Sequence, residues 1–209
     1  MVEKVAFKGE GEAKAKEIVD WVESKLIHPK SALLGIVEAG NRTPKKILDS
    51  GKVFPALSCL DLAVAIGAVL RENGFKVYLV TERIHRDGLS IGLHFLVEVT
   101  DGKTRFSVDP RIMKTYFFSG WFGKERNGNV LDPSSTKSRV KFVKVHRAEL
   151  PANAMTTKAF RLVGIKNKIH FLRLANIDLR GFSKVMLIKK LFMSNRRIGK
   201  LGLNPARIR

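Results

Sequence analysis

Three residues have the types and spacing that covalent chemistry needs: Cys59, His94 and Asp109. An ionised thiol is a strong nucleophile. It needs a base beside it to take its proton and a third group to hold that base. Cys59 is the single cysteine among 209 residues, which excludes an intrachain disulfide framework and a CxxC zinc site. The pattern places it at the start of a buried helix. Free N–H groups there favour a thiolate and supply half of an oxyanion hole. In this reading His94 takes the thiol proton and later returns it to the leaving group. Asp109 fixes the tautomer and favours the imidazolium. The competing reading of Cys59 is a small core side chain, the commoner role of a lone helical cysteine. For His94 it is a structural strand residue.

The elements that must hold these groups are legible in outline. Residues 10–27 carry Ala15, Ile18, Val19, Val22 and Leu26 at helical spacing, and His28-Pro29 stops them. A short helix is expected over 31–39, ending at Gly40, and another opens at Thr43-Pro44 with Thr43 as N-cap. Residues 59–73 read as the buried helix, with Ser58 as N-cap, Asp61 as a capping-box-like partner and Asn73-Gly74 as the stop. Strands are expected over 75–82, 91–100, 103–109 and 138–147, and basic helical segments over 156–175 and 182–193.

Asp101-Gly102 is a strong hairpin signal. A two-residue turn there pairs Thr100 with Lys103, so partners sum to 203. Phe95 then faces Val108, Val97 faces Phe106 and Val99 faces Thr104. On the other face Glu98 opposes Arg105 and His94 opposes Asp109. Directly opposed Cβ atoms lie about 4.5–5.5 Å apart, close enough for a carboxylate to hold an imidazole.

With these residues in view the chain resembles the transglutaminase-like superfamily, of papain-like fold, and is distantly similar to the arylamine N-acetyltransferases. The resemblance is carried by Ser58-Cys59-Leu60-Asp61-Leu62-Ala63, by Leu70-Arg71-Glu72-Asn73-Gly74-Phe75-Lys76-Val77, by His94 in a strand and by Val108-Asp109-Pro110. It covers roughly residues 54–111. It implies Cys59 as nucleophile, His94 as base and Asp109 as orienter. It also implies cysteine-dependent acyl transfer or hydrolysis at an amide: a peptidase, a transglutaminase-like amidotransferase or an amidase, with a peptide or protein amide as substrate. No cofactor is expected. The chain has Ser58 where the family often has Gly. It contains no Gln, so a papain-type oxyanion glutamine is excluded and the second oxyanion donor is unidentified.

The segment after Asp109 is aromatic. Tyr116, Trp121 and Phe122 are candidates for a substrate wall or a mobile lid, or else for packing at the core edge. The remaining histidines, His28, His85, His146 and His170, lack metal-ligand spacing, so no metal site is expected. Gly88 to Gly92 is too sparse for a phosphate loop.

Charge divides the chain unequally. Its net +20 splits into +3 over residues 1–136 (20 basic, 17 acidic) and +17 over 137–209 (19 basic, 2 acidic). At 44% hydrophobic the chain can build a core, which excludes a wholly disordered basic tail. No apolar run approaches the roughly 18 residues of a membrane span, and the N-terminus lacks a signal-peptide pattern. The expectation is a cytoplasmic protein, and the absence of Gln beside many charges hints at a thermophile. The basic third is self-repulsive unless screened. Its candidate polyanion contacts are Lys189, Lys190, Arg196, Arg197, Lys200, Arg207 and Arg209. Nucleic acid ranks first as partner, an anionic membrane surface next and an acidic protein third.

The expected class is α+β. A papain-like or transglutaminase-like core spans 1–136, its nucleophile helix packed on a mainly antiparallel sheet of about four strands. Residues 137–209 complete the sheet and continue as a basic, mostly helical extension. The alternative function is non-enzymatic nucleic-acid binding on a catalytically silent fold of that type.

Overall fold

Alternation and periodicity of the apolar residues lay out one sheet with helices on one side of it. The computed structural model describes residues 7–27, 42–53, 58–111, 114–128 and 140–151. Among them are three helices, α1 (Gly11–Ser24), α2 (Pro44–Ser50) and α3 (Ser58–Glu72). Six strands accompany them: β1 (Lys76–Arg86), β2 (Leu89–Thr100), β3 (Arg105–Pro110), β4 (Thr115–Ser119), β5 (Glu125–Gly128) and β6 (Val140–Glu149). The strands form one antiparallel sheet in the order β4-β3-β2-β1-β6-β5. The protein is α+β. The segments expected to be helical at 31–39, 156–175 and 182–193 lie outside the described residues.

α3 is buried along nearly its whole length, as a helix apolar on all sides must be. A Cβ added at Gly67 would meet Leu150 Cδ2 at 2.5 Å and Val77 Cγ1 at 3.2 Å, so this glycine lets helix and sheet approach closely. Gly74 ends the helix with φ 92°, and the Phe75 N–H closes back onto the Leu70 carbonyl at 3.1 Å. Only glycine takes that left-handed turn without strain. α1 lays Ala15, Ile18, Val19 and Val22 against this core. At α2 the Thr43 hydroxyl caps the Lys46 N–H at 3.1 Å, with Pro44 at the first helical position. Arg42 donates to Asp61 at 2.6 Å and to the Lys52 carbonyl at 2.8 Å. Asp61 therefore serves Arg42, tying the end of α2 to the first turn of α3, and Ser58 is the first helical residue rather than a cap outside the helix.

The hairpin register differs from the expected one. β2 and β3 pair Val97 with Val108, Val99 with Phe106 and Thr100 with Arg105. Partners sum to 205, not 203, so none of the predicted pairs, His94–Asp109 and Glu98–Arg105 included, is directly opposed. The loop explains it. A two-residue turn of this kind needs φ > 0 at both positions, and of Asp101 and Gly102 only Gly102 has it, at 96°. The Asp101 carboxylate instead accepts from the Lys103 and Thr104 N–H groups at 2.9 and 2.7 Å. A four-residue connection results. The tight turn occurs at the other Asp-Gly pair: Asp87 (φ 50°) and Gly88 (φ 80°) join Arg86 to its partner Leu89. A shift of two residues preserves the strand faces.

Two strands were not expected. The aromatic segment forms β4 beside β3, and Glu125–Gly128 forms the edge strand β5 beside β6. The sheet thus has six strands among the described residues, not about four. No helix there is long and apolar enough to cross a membrane.

Candidate active site

The sheet sorts its residues by parity. Val77, Leu79, Phe95, Val97, Val99, Phe106 and Val108 join the core with α3. The alternate positions of the same strands share the other face. There Glu82 is the cross-strand partner of His94, and Tyr78 that of Glu98.

His94 and Asp109 meet on this face. The His94 Nε2–H donates to Asp109 Oδ1 at 2.5 Å, and both side chains are buried. Extending the observed register sets Asp109 beside Leu96, so the pair is diagonal, a separation that aromatic-sized side chains span. The β2–β3 pairing stops at Val97 and Val108, which leaves His94 three residues past the last rung. Cys59, second residue of α3 and only partly buried, lies beside the His94 ring, and its side chain is among the groups that raise the imidazole pKa. With Nε2 committed to Asp109, Nδ1 is the ring nitrogen that remains for the thiol. All three sequence-derived residues are therefore together.

Asp109 is held further. Its Oδ2 accepts from Arg111 Nη2 at 2.6 Å and Arg126 Nη2 at 2.8 Å. Arg126 grips both oxygens of Glu82, at 2.9 and 2.5 Å. Phe142 backs the group, its ring centroid 5.9 Å from that of His94, 4.7 Å from Arg111 and 4.5 Å from Arg126. Burial alone would push the Asp109 pKa up. The His94 charge and hydrogen bond, then Arg111 and Arg126, outweigh it and hold the carboxyl well below the usual range. Burial likewise opposes the charged form of His94, and Arg111 opposes it too. The Asp109 charge, the hydrogen bond the ring donates to Asp109 and, least, the Cys59 side chain prevail, and the imidazole pKa is raised.

Sequence reading did not nominate Glu82, Arg111 or Arg126. Glu82 carried a signal, a lone acid inside an apolar strand, and Arg111 lies two residues from Asp109. Arg126 carried none, because β5 has no apolar alternation.

The aromatic candidates divide. Tyr116 is the strand partner of Asp109, and the Phe122 ring covers Arg126 at 4.2 Å. Both border the Asp109 side of the site. Trp121 belongs to a second cluster. Its Nε1–H donates to the Val99 carbonyl at 3.1 Å, and its ring lies 4.3 Å from the Arg147 guanidinium. That cluster surrounds Glu98, which is fully buried and accepts from Lys144 and, at 2.6 Å, from Arg147 Nε. Arg147 also stacks on Tyr78 at 3.5 Å. Among the described residues no group of three or more His, Cys, Asp or Glu could hold a metal ion. Lys189, Lys190, Arg196, Arg197, Lys200, Arg207 and Arg209 lie outside the described residues.

A thiol, an imidazole and an ionised carboxylate in series can remove a proton from sulfur and store it on the ring. No family model matches the chain, and neither a curated protein nor a solved structure matches it.

Proposed function

We propose that the chain is a cysteine-dependent enzyme acting on an amide bond, with Cys59 as nucleophile, His94 as base and Asp109 as orienter on a papain-like or transglutaminase-like core. The observation that carries this reading is the His94 ring held by Asp109 at 2.5 Å with the Cys59 side chain beside it. In the first step the Cys59 proton passes to His94 and the sulfur attacks the amide carbon. The C–S bond forms, and the C–N bond breaks as the amine leaves with the proton from His94. In the second step water or an amine gives its proton to His94 and attacks the thioester. The acyl group departs and the ring returns the proton to sulfur. The α3 N-terminus would stabilise the oxyanion in both steps. Residues 137–209, with their net +17, would dock the enzyme to a polyanion such as nucleic acid.

The test is the rate of iodoacetamide labelling, which reports Cys59 alone because no other thiol exists. At pH 6 the native protein should label at least about a hundredfold faster than H94A, the lower end of what a positioned base contributes. C59A, which should not label, checks the probe. A native rate equal to that of H94A would sink the proposal.

A further inference from the structure

Asp109 divides its two oxygens. Oδ1 serves His94 at 2.5 Å, while Oδ2 receives Arg111 at 2.6 Å and Arg126 at 2.8 Å. Arg126 comes from the edge strand β5 and is gripped through Nε and Nη2 by both oxygens of Glu82. Glu82 is in turn the strand neighbour of His94. The contacts close a circuit: the neighbour of the histidine holds the arginine that holds the aspartate that holds the histidine. Phe122 and Phe142 cover the Arg126 guanidinium at 4.2 and 4.5 Å, which keeps water from replacing these bonds.

We propose that Glu82 and Arg126 are positioning residues of the thiol site. Arg126 locks the Asp109 carboxylate from the side away from His94, so that Oδ1 alone serves the ring, and Glu82 locks Arg126. This role rests on the reading that His94 activates Cys59.

The terminal torsion of an aspartate is broad and roughly two-fold, so a free carboxylate turns and carries its hydrogen-bonded ring with it. Arg111 and Arg126 on Oδ2 remove that freedom. They also set the local charge. The groups around Asp109 and His94 are Cys59 from α3, Glu82 from β1, Tyr116 from β4, Arg126 from β5 and Arg111 just after β3. Lys144 of β6 neighbours Glu82 in the sheet, but its amine is turned to Glu98. Two carboxylates thus balance two guanidiniums, and the imidazolium is balanced by the thiolate. Taking away Arg126 leaves an excess negative charge. The thiolate becomes harder to form and the imidazolium easier to keep, so both limbs of the pair's titration move to higher pH.

The experiment measures iodoacetamide labelling of the full chain from pH 4 to 10 for the native protein, R126M, R126K and E82Q, with thermal unfolding followed in parallel. The native profile should show an acid limb where the ion pair forms. In R126M that limb should move up by about one pH unit, a roughly tenfold slower labelling at its foot. R126K, which returns the charge, should restore the limb, and E82Q, which removes one of the two balancing carboxylates, should move the limb to lower pH. A folded R126M with the native profile, or an R126K no better than R126M, overturns the positioning role. If R126M does not fold, an E82Q profile identical to the native one overturns it. A native profile with only the single limb of a free thiol overturns the activated-thiol reading, and the role with it, before any variant is compared.

Discussion

Two of the carboxylates buried on the same face of the sheet, Glu98 and Asp109, have surroundings that look alike at first. Glu98 is held by Lys144 and Arg147, with Tyr78 and Trp121 stacked around the arginine. Asp109 is held by Arg111 and Arg126, with Phe122 and Phe142 stacked around the arginines. The difference lies in what each carboxylate does with its remaining capacity. Glu98 spends both oxygens on cations. Asp109 keeps one for His94, and through that ring it reaches a thiol at a helix start. The first arrangement satisfies buried charge. The second passes the influence of buried charge to a group that can ionise and react. Perturbed groups of either kind occur in folded proteins, and only connection to a nucleophile or base distinguishes a site from a brace.

The sharpest way to break this comparison is to neutralise both carboxylates separately. D109N should slow Cys59 labelling by about a hundredfold or more and should also destabilise the fold. E98Q should cost about 3 kcal/mol of unfolding free energy, because Lys144 and Arg147 lose their buried partner, yet leave the labelling rate within about twofold. Urea unfolding and labelling on the same samples separate the two effects. A labelling loss in E98Q comparable to that in D109N would erase the distinction.

A smaller effect is expected from pH. His94 has its folded pKa raised above the ordinary 6.5. Its contribution to stability is therefore complete below about pH 6.5, and it is lost as the pH rises through the folded value, where the native state binds more protons than the unfolded one. Asp109, with a depressed pKa, contributes above its unfolded value and loses that contribution only as the pH falls through its lower folded value. Unfolding free energies from pH 5.5 to 9 should thus decline with rising pH in the native protein. H94Q should lose that part of the decline. An undiminished slope in H94Q would place its origin elsewhere.

The least effect, and the one most remote from either cluster, belongs to the α2 cap. T43A removes the acceptor for the Lys46 N–H and should cost about 1 kcal/mol. Labelling should not change. A slower rate in T43A would mean that α2, through Arg42 and Asp61, also orients the start of α3.

Local signals carried far in this chain because each stands on one element. Cys59 was legible from the helix that begins at Ser58 and ends at Asn73-Gly74. The faces of β2 and β3 were legible because strand alternation has a period of two. The register was not, since Asp101-Gly102 and Asp87-Gly88 are the same dipeptide and only the folded loop shows which one makes a tight turn. The two-residue error left the site intact, because it moved residues along a face without turning them over. β5 escaped notice for a different reason. A four-residue edge strand reading Glu-Arg-Asn-Gly has no apolar pattern, and it is a strand only because β6 lies beside it.

By itself, then, the order of residues determined which groups were available for chemistry and which face of each strand they occupy. Those properties follow from residue type, helix ends and a two-residue period, all short-range. Only the tertiary structure decided that His94 meets Asp109 on the diagonal, that the thiol reaches the same ring, and that Arg126 from a distant edge strand closes the circuit with Glu82. Such contacts join residues 15 to 44 positions apart. They depend on strand order and register, which no local pattern encodes.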